Sequence, residues 1–257
     1  MRAFLASGWT FFFRWPIFQV SADAFVPASL FLGPAFQAFA FALAAGAALL
    51  LPSAPVGLAG FLGFVVLSAW SGFFHDDGFA DTADSLGVSK FDDSDATLDR
   101  IHAAMKDSRL GTFGVSALIL LWAFRGLSAF LWGIDWATLA VIVFVSRSAA
   151  FGAAWGVGRY IGAANARRSS HLMMGIGARL FLAFLVATLG LLAAVGAFVP
   201  GLTPVRTGVW LGASGVLAVF FLRVQVRRCQ GLSGDLIGAA VCLCEIFILV
   251  LCASGLP

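Results

Sequence analysis

Residues 236–254 read Leu236-Ile237-Gly238-Ala239-Ala240-Val241-Cys242-Leu243-Cys244-Glu245-Ile246-Phe247-Ile248-Leu249-Val250-Leu251-Cys252-Ala253-Ser254, an apolar run interrupted by a single charge. A membrane-spanning helix needs about 20 predominantly apolar residues, and this stretch is of that length. Six further runs of the same kind lie near 25–51, 56–74, 110–132, 137–157, 179–199 and 207–222. They are continuous and do not alternate, which excludes a β-barrel. The whole chain agrees: 257 residues, 61% hydrophobic, 11% charged, mean hydropathy +0.97. A soluble domain carries roughly 25% charged residues, so this chain cannot cover a water-facing surface, and disorder would need the opposite composition. The expected fold is all-α, a polytopic helical membrane protein of about seven transmembrane helices. One membrane domain is expected to span 1–257, in contact with lipid.

The connections differ in kind. Those near 52–55, 133–136 and 200–206 are short and nearly uncharged, whereas 75–109, 158–178 and 223–235 are longer and polar. The two kinds alternate along the chain, as segments on opposite sides of a bilayer must. Lys90, Arg100, Lys106, Arg109, Arg159, Arg167, Arg168, Arg179, Arg223, Arg227 and Arg228 fall on the polar side, with Arg2 and Arg14 before the first run; Arg206 is on the other. The positive-inside rule puts the long loops in the cytoplasm. The net charge of +3 therefore follows topology, and no nucleic-acid partner is expected. The N-terminal cluster Trp9, Phe11, Phe12, Phe13 and Trp15 reads as a retained interfacial aromatic anchor. Pro27 and Pro34 predict either a kink or an interfacial turn at the first span. Small-residue pairs such as Gly152/Gly156, Gly208/Gly212 and Gly234/Gly238 would let helices approach closely and make a homo-oligomer feasible. The cysteines (Cys229, Cys242, Cys244, Cys252) lack zinc-ligand spacing, and the three in the last apolar run read as buried small hydrophobes.

Nine of the 13 acidic residues lie between 76 and 107, and all nine are Asp: Asp76, Asp77, Asp81, Asp84, Asp92, Asp93, Asp95, Asp99 and Asp107. Within His75-Asp76-Asp77-Gly78-Phe79-Ala80-Asp81-Thr82-Ala83-Asp84-Ser85, helical geometry puts Asp77, Asp81 and Asp84 on one face. Like charges on one face repel unless a cation neutralises them, and Mg²⁺ binds through a few carboxylates plus substrate phosphates. The competing reading is a solvated acidic turn. A second stretch, Met105-Lys106-Asp107-Ser108-Arg109-Leu110-Gly111-Thr112-Phe113-Gly114, puts two cations beside a carboxylate at a helix start, as phosphate binding requires. A third, Gly231-Leu232-Ser233-Gly234-Asp235, opens the last span and reads either as an anion or metal-phosphate corner or as an N-capped turn. By the alternation all three share the cytoplasmic face. Acids for Mg²⁺, bases for phosphate and an edge histidine point to phosphoryl transfer from a diphosphate. No Walker A or G-x-G-x-x-G motif occurs.

The runs His75–Asp84 and Met105–Gly114 resemble the hallmark motifs of the cobalamin synthase (adenosylcobinamide-GDP ribazoletransferase) family, with further agreement at Phe13-Arg14-Trp15-Pro16, Ser146-Arg147 and Gly231 to Asp235. Asp76, Ser85 and Cys242 depart from the family pattern. The resemblance implies an inner-membrane, Mg²⁺-dependent transferase that joins α-ribazole, or its 5′-phosphate, to adenosylcobinamide-GDP and releases GMP. It implies Asp77, Asp81, Asp84 and Asp107 as Mg²⁺ ligands. It further implies Lys106 and Arg109 on the leaving phosphate, with Ser108, Gly234, Asp235 and Arg147 toward substrate. Asp77 would also serve in catalysis. His75 becomes either a general base or an interfacial residue bonded to a loop carbonyl. Two other classes fit the sequence less well. A cation-coupled transporter would carry its carboxylates near mid-membrane; here only Glu245, with Arg125 and Arg147, is embedded, and those three could pair structurally. A CDP-alcohol phosphotransferase would need Ala-Arg where Ala80-Asp81 stands.

Overall fold

The structure is a computed structural model that describes residues 6–7, 27–51, 55–88, 94–107, 109–161 and 176–255. The aromatic N-terminal segment with Arg2 and Arg14, the loop residues Lys90, Asp92 and Asp93, Ser108, and Arg167 with Arg168 lie outside the described residues. Among the described residues all regular structure is helical and no strand forms. A 3₁₀ segment, Pro27–Leu32, leads into α1 (Gly33–Ala48). Then come α2 (Val56–Trp70), α3 (Phe74–Leu86), α4 (Ser94–Ala104), α5 (Thr112–Phe130), α6 (Trp136–Ile161), α7 (Ala178–Gly196), α8 (Pro204–Cys229) and α9 (Gly234–Ala253). Pro34 sits in the first turn of α1, where a missing N–H costs nothing, so the prolines make an entry turn and leave the helix whole.

Among the described residues six helices are long and apolar enough to cross a membrane: Ser29–Ala48, Thr112–Phe130, Trp136–Tyr160, Ala178–Gly196, Pro204–Cys229 and Gly234–Ala253. A seventh span is reached when α2 is counted with α3, from which it departs by 81°. The chain is an all-α, multi-pass membrane protein. The bend has a local cause: Gly72 and Phe73 both adopt left-handed backbone, at φ 67° and 58°. Helix α3 carries His75 and four aspartates, which excludes it from hydrocarbon and lays it along the boundary. The 26-residue helices α6 and α8 are about 39 Å long at 1.5 Å per residue, longer than a hydrocarbon core of about 30 Å. Their ends therefore project to the level of α3.

Helix α6 is the hub, packed against α1, α8 and α9, with 83% of its apolar window buried against 11% for α7. Helix α3 lies on α9 with the two backbones touching. A Cβ on Gly78 would fall 2.7 Å from the Asp235 carbonyl oxygen, and one on Gly238 would fall 3.2 Å from His75 Cα. The expected close packing at Gly208/Gly212 is absent, since a Cβ at either would meet nothing within 4 Å.

Four charges are buried between the helices. Arg125 on α5 donates to Glu245 on α9 and to Asp76 on α3, both at 2.7 Å, and Arg147 on α6 donates to Glu245 at 2.9 Å. Ser68 on α2 donates to Asp76 at 3.1 Å and accepts from Arg125 at 3.2 Å. Two cations and two anions cancel, which is how charges persist at such depth. This network ties five helices to one another and fixes α3 over the bundle. The anticipated pairing of Glu245 with Arg125 and Arg147 is what the structure shows. Asp76 is a further member that no spacing argument singled out.

Candidate active site

Helix α3 divides its side chains between two faces. His75, Asp76, Gly78, Thr82 and Ser85 are buried toward the bundle. Asp77 is exposed and Asp81 half-buried on the other side, so the acidic run is one face of a helix and not a solvated turn. Asp76 and Asp77 stand in the first turn, where carboxylates suit the helix dipole. At the far end Arg228, from the last turn of α8, donates to the Ser85 carbonyl and, at 3.2 Å, to its hydroxyl. That contact satisfies a terminal carbonyl of α3 with a cation. His102 on α4 likewise meets the Cys229 carbonyl at 2.9 Å, fastening α4 to the end of α8.

Asp84 is the hinge of the site. Its two oxygens accept the backbone N–H groups of Gly111 and Gly114, each at 2.7 Å. One carboxylate thereby caps the start of α5 and pins it to α3. A Cβ on Gly111 or Gly114 would lie 2.4 or 2.3 Å from an Asp84 oxygen, so both positions need glycine for this approach. The clamp draws the second motif against the first. A cavity of about 490 Å³ opens between them, lined by Asp77, Asp81, Lys106 and Asp107, with Phe73 and Leu118 among its apolar walls.

The electrostatics of this cavity favour a cation. Burial, and then the charges of Asp77, Asp235 and Asp84, push the Asp81 carboxyl up to about 7. Asp235, beside Gly78 at the start of α9, thus faces the acidic group from the opposite end of the chain. On the cavity rim Asp107 accepts from Arg109 side-chain nitrogens at 2.8 and 3.0 Å, and from the Arg109 backbone at 3.0 Å. These bonds hold its carboxyl at about 2. The pair is exposed, so it exchanges partners readily.

The model of the family described as cobalamin-5-phosphate synthase matches residues 4–253. The chain belongs to that family. A Bradyrhizobium diazoefficiens protein named adenosylcobinamide-GDP ribazoletransferase is 32% identical over 207 residues, covering 77% of this chain and 71% of its own. A Sinorhizobium protein of the same name is 34% identical over 242 residues, covering 85% and 84%. One from Vibrio cholerae is 32% identical over 196 residues, covering 73% and 68%. No solved structure matches the chain significantly.

Within this cobalamin-5-phosphate synthase family member, the candidate residues are distributed unequally. Asp77, Asp81, Lys106 and Asp107 share the cavity, Arg109 pairs at its rim, Asp235 adjoins α3 at Gly78, and Gly234 is exposed at the start of α9. Ser108 lies outside the described residues. Asp84 is half-buried and occupied by its two backbone donors, so the expected four-aspartate ligand set is divided. Arg147 is 2% exposed and bonded to Glu245, Gln37 and the Val143 carbonyl, which keeps it inside the bundle and away from the cavity. His75 is 3% exposed; its Nε2 stands 3.2 Å from Gln37 Oε1 on α1, not on a loop carbonyl and not beside the acidic face. Gln37 and Ser68 entered the network without any sequence signal, since lone polar residues in apolar runs are ordinary.

The fit to Mg²⁺ can be tested on the donors. Among the described residues no three His, Cys, Asp or Glu side chains stand close enough to enclose an ion. Mg²⁺ does not need such a cage: it keeps waters and takes one or two carboxylates plus phosphate oxygens. An all-oxygen wall of Asp77 and Asp81, with one carboxyl driven up by burial and then by its acidic neighbours, fits that mode.

Proposed function

We propose that this protein is an adenosylcobinamide-GDP ribazoletransferase of the inner membrane, with its acidic cavity facing the cytoplasm. It joins α-ribazole, or α-ribazole 5′-phosphate, to the corrinoid phosphate and releases GMP. The observation that carries this reading is the single cavity in which Asp77 and Asp81 face Lys106 and Asp107. The family membership and the relatives' shared name supply the substrate class. The concentration of Arg and Lys on the long loops supports the orientation.

In this reading Asp77 and Asp81 would hold Mg²⁺, and Asp235 adds negative charge from across α3. When bound, Mg²⁺ would neutralise the phosphate oxygens and align the diphosphate for displacement. Lys106 and Arg109 receive the departing GMP phosphate. Arg109 exchanges its exposed contact with Asp107 for that phosphate, which leaves the Asp107 carboxylate as a further group that would hold the cation. A ribose hydroxyl oxygen forms the new bond to the corrinoid-side phosphorus, the bridging P–O bond breaks, and the bridging oxygen leaves with GMP. The hydroxyl proton passes to a carboxylate of the cavity wall, since His75 is turned into the bundle. Asp84 acts by position, holding the second motif against the first. Detergent-purified protein supplied with adenosylcobinamide-GDP, α-ribazole and Mg²⁺ is expected to release GMP; failure with α-ribazole and with its 5′-phosphate alike would overturn the assignment.

A further inference from the structure

Helices α6, α7 and α8 enclose a second, larger space, an apolar groove of about 720 Å³ that takes no part in the acidic site. Its floor on α8 is Gly208, Gly212 and Gly215, and a Cβ on any of them would meet nothing within 4 Å. These glycines therefore do not serve helix contact; they leave room. The groove runs from Gly208 to Arg223, about 22 Å at 1.5 Å per residue, which is more than one leaflet's half of a hydrocarbon core of about 30 Å. Helix α7, which forms one wall, is the least buried of the spans.

Two independent observations mark the groove as a ligand site. Ser148 lines it at 3% exposure, and its hydroxyl has no hydrogen-bond partner among the described residues. At the end nearest the acidic cavity stands Arg223, exposed, with its guanidinium 5.5 Å from the Tyr160 ring centroid. Arg159 stacks on Trp155 nearby, and Trp155 stacks on Phe181 of the groove wall at 3.8 Å. A long apolar slot with cations and amphipathic rings at one mouth is the complement of an acyl chain carrying an anionic headgroup.

We infer that this groove is a binding site for an anionic glycerophospholipid, one acyl chain lying along the α8 glycines and the phosphate on Arg223. The occupant completes the packing of α7 against the bundle. The lipid comes from the leaflet on the side of the acidic cavity, because Arg223 lies on the same end of α8 as Arg228, which holds α3.

Native mass spectrometry of the detergent-purified full chain, titrated with phosphatidylglycerol and separately with phosphatidylcholine, tests this. The wild type is expected to hold one phosphatidylglycerol in preference to phosphatidylcholine, and to gain thermal stability with it. Arg223→Ala should lower that preference about fivefold, the worth of one interfacial cation. Gly212→Leu should abolish the bound lipid while keeping wild-type helicity by circular dichroism, because its side chain enters open space. Equal retention of both lipids by the wild type would overturn the site, as would undiminished phosphatidylglycerol binding by Gly212→Leu. A dimer that persists only while the groove is unfilled would assign the space to a second copy of the chain and equally overturn it.

Discussion

Replacing Gly114 by alanine tests how the two motifs are held together. The new Cβ would stand 2.3 Å from Asp84 Oδ2, 2.9 Å from Asp84 Cγ and 3.1 Å from the Ala80 carbonyl oxygen. Asp84 cannot swing aside freely, since its other contact is the 2.7 Å bond from the Gly111 N–H. The variant must lose the 2.7 Å bond from its own N–H or move the start of α5. A hydrogen bond to a charged group is worth about 1.5–3 kcal/mol, and local overpacking adds cost of similar order, so a stability loss of about 3–6 kcal/mol is expected. The consequence for turnover is larger in proportion. Moving α5 by an ångström carries Lys106 and Arg109 away from Asp77 and Asp81, and a misplacement of that size costs on the order of 100-fold. Thermal unfolding in detergent reads the first effect and Mg²⁺-dependent GMP release the second. Asp84→Asn, which retains one carbonyl acceptor, should fall between wild type and Gly114→Ala in both. A Gly114→Ala protein with wild-type melting and turnover would refute the clamp.

Further outcomes follow from the same geometry. Because the folded Asp81 carboxyl stands at about 7, above its ordinary range, stability tied to its proton is full below pH ~4 and lost as pH rises through about 7. Mg²⁺-free protein should therefore melt higher at pH 6 than at pH 8. Asp81→Asn should flatten that difference and abolish GMP release, and Mg²⁺ should restore the wild type at pH 8; no change on Asp81→Asn would contradict the charge crowding. Glu245→Gln removes a buried anion from two arginines and should cost about 3–5 kcal/mol, read as a fall in melting temperature. Arg109→Ala should barely move stability, its ion pair being exposed, yet slow GMP release. Phe73→Gly relieves a left-handed φ and should stabilise the backbone by about 1 kcal/mol while opening the cavity wall.

What the sequence made legible follows from what is local. Apolar run lengths gave the spans, because crossing a bilayer is a length requirement on one segment. The i, i+4, i+7 spacing put Asp77, Asp81 and Asp84 on α3, because helix periodicity is local too. The partition of that face was not legible. Asp84 turns to Gly111 and Gly114, 27 and 30 residues away, and nothing within its own helix says so. His75 and Asp76 face inward because Gln37, Ser68 and Arg125 meet them there, from three other helices. The 81° bend rests on Phe73 adopting a backbone that its residue type disfavours, which no propensity would anticipate. Gly208 and Gly212 matched a packing motif, but the same spacing serves equally to leave a groove.

On the proposed function, the Asp77 face of α3 would hold Mg²⁺ and bind the diphosphate whose cleavage yields GMP. GMP release from adenosylcobinamide-GDP and α-ribazole by the purified protein, with Mg²⁺ and with chelator, beside Asp77→Ala of verified helicity, measures it directly. The account predicts Mg²⁺-dependent GMP from the wild type and none from the variant; GMP release that survives the chelator or the Asp77→Ala substitution would contradict it.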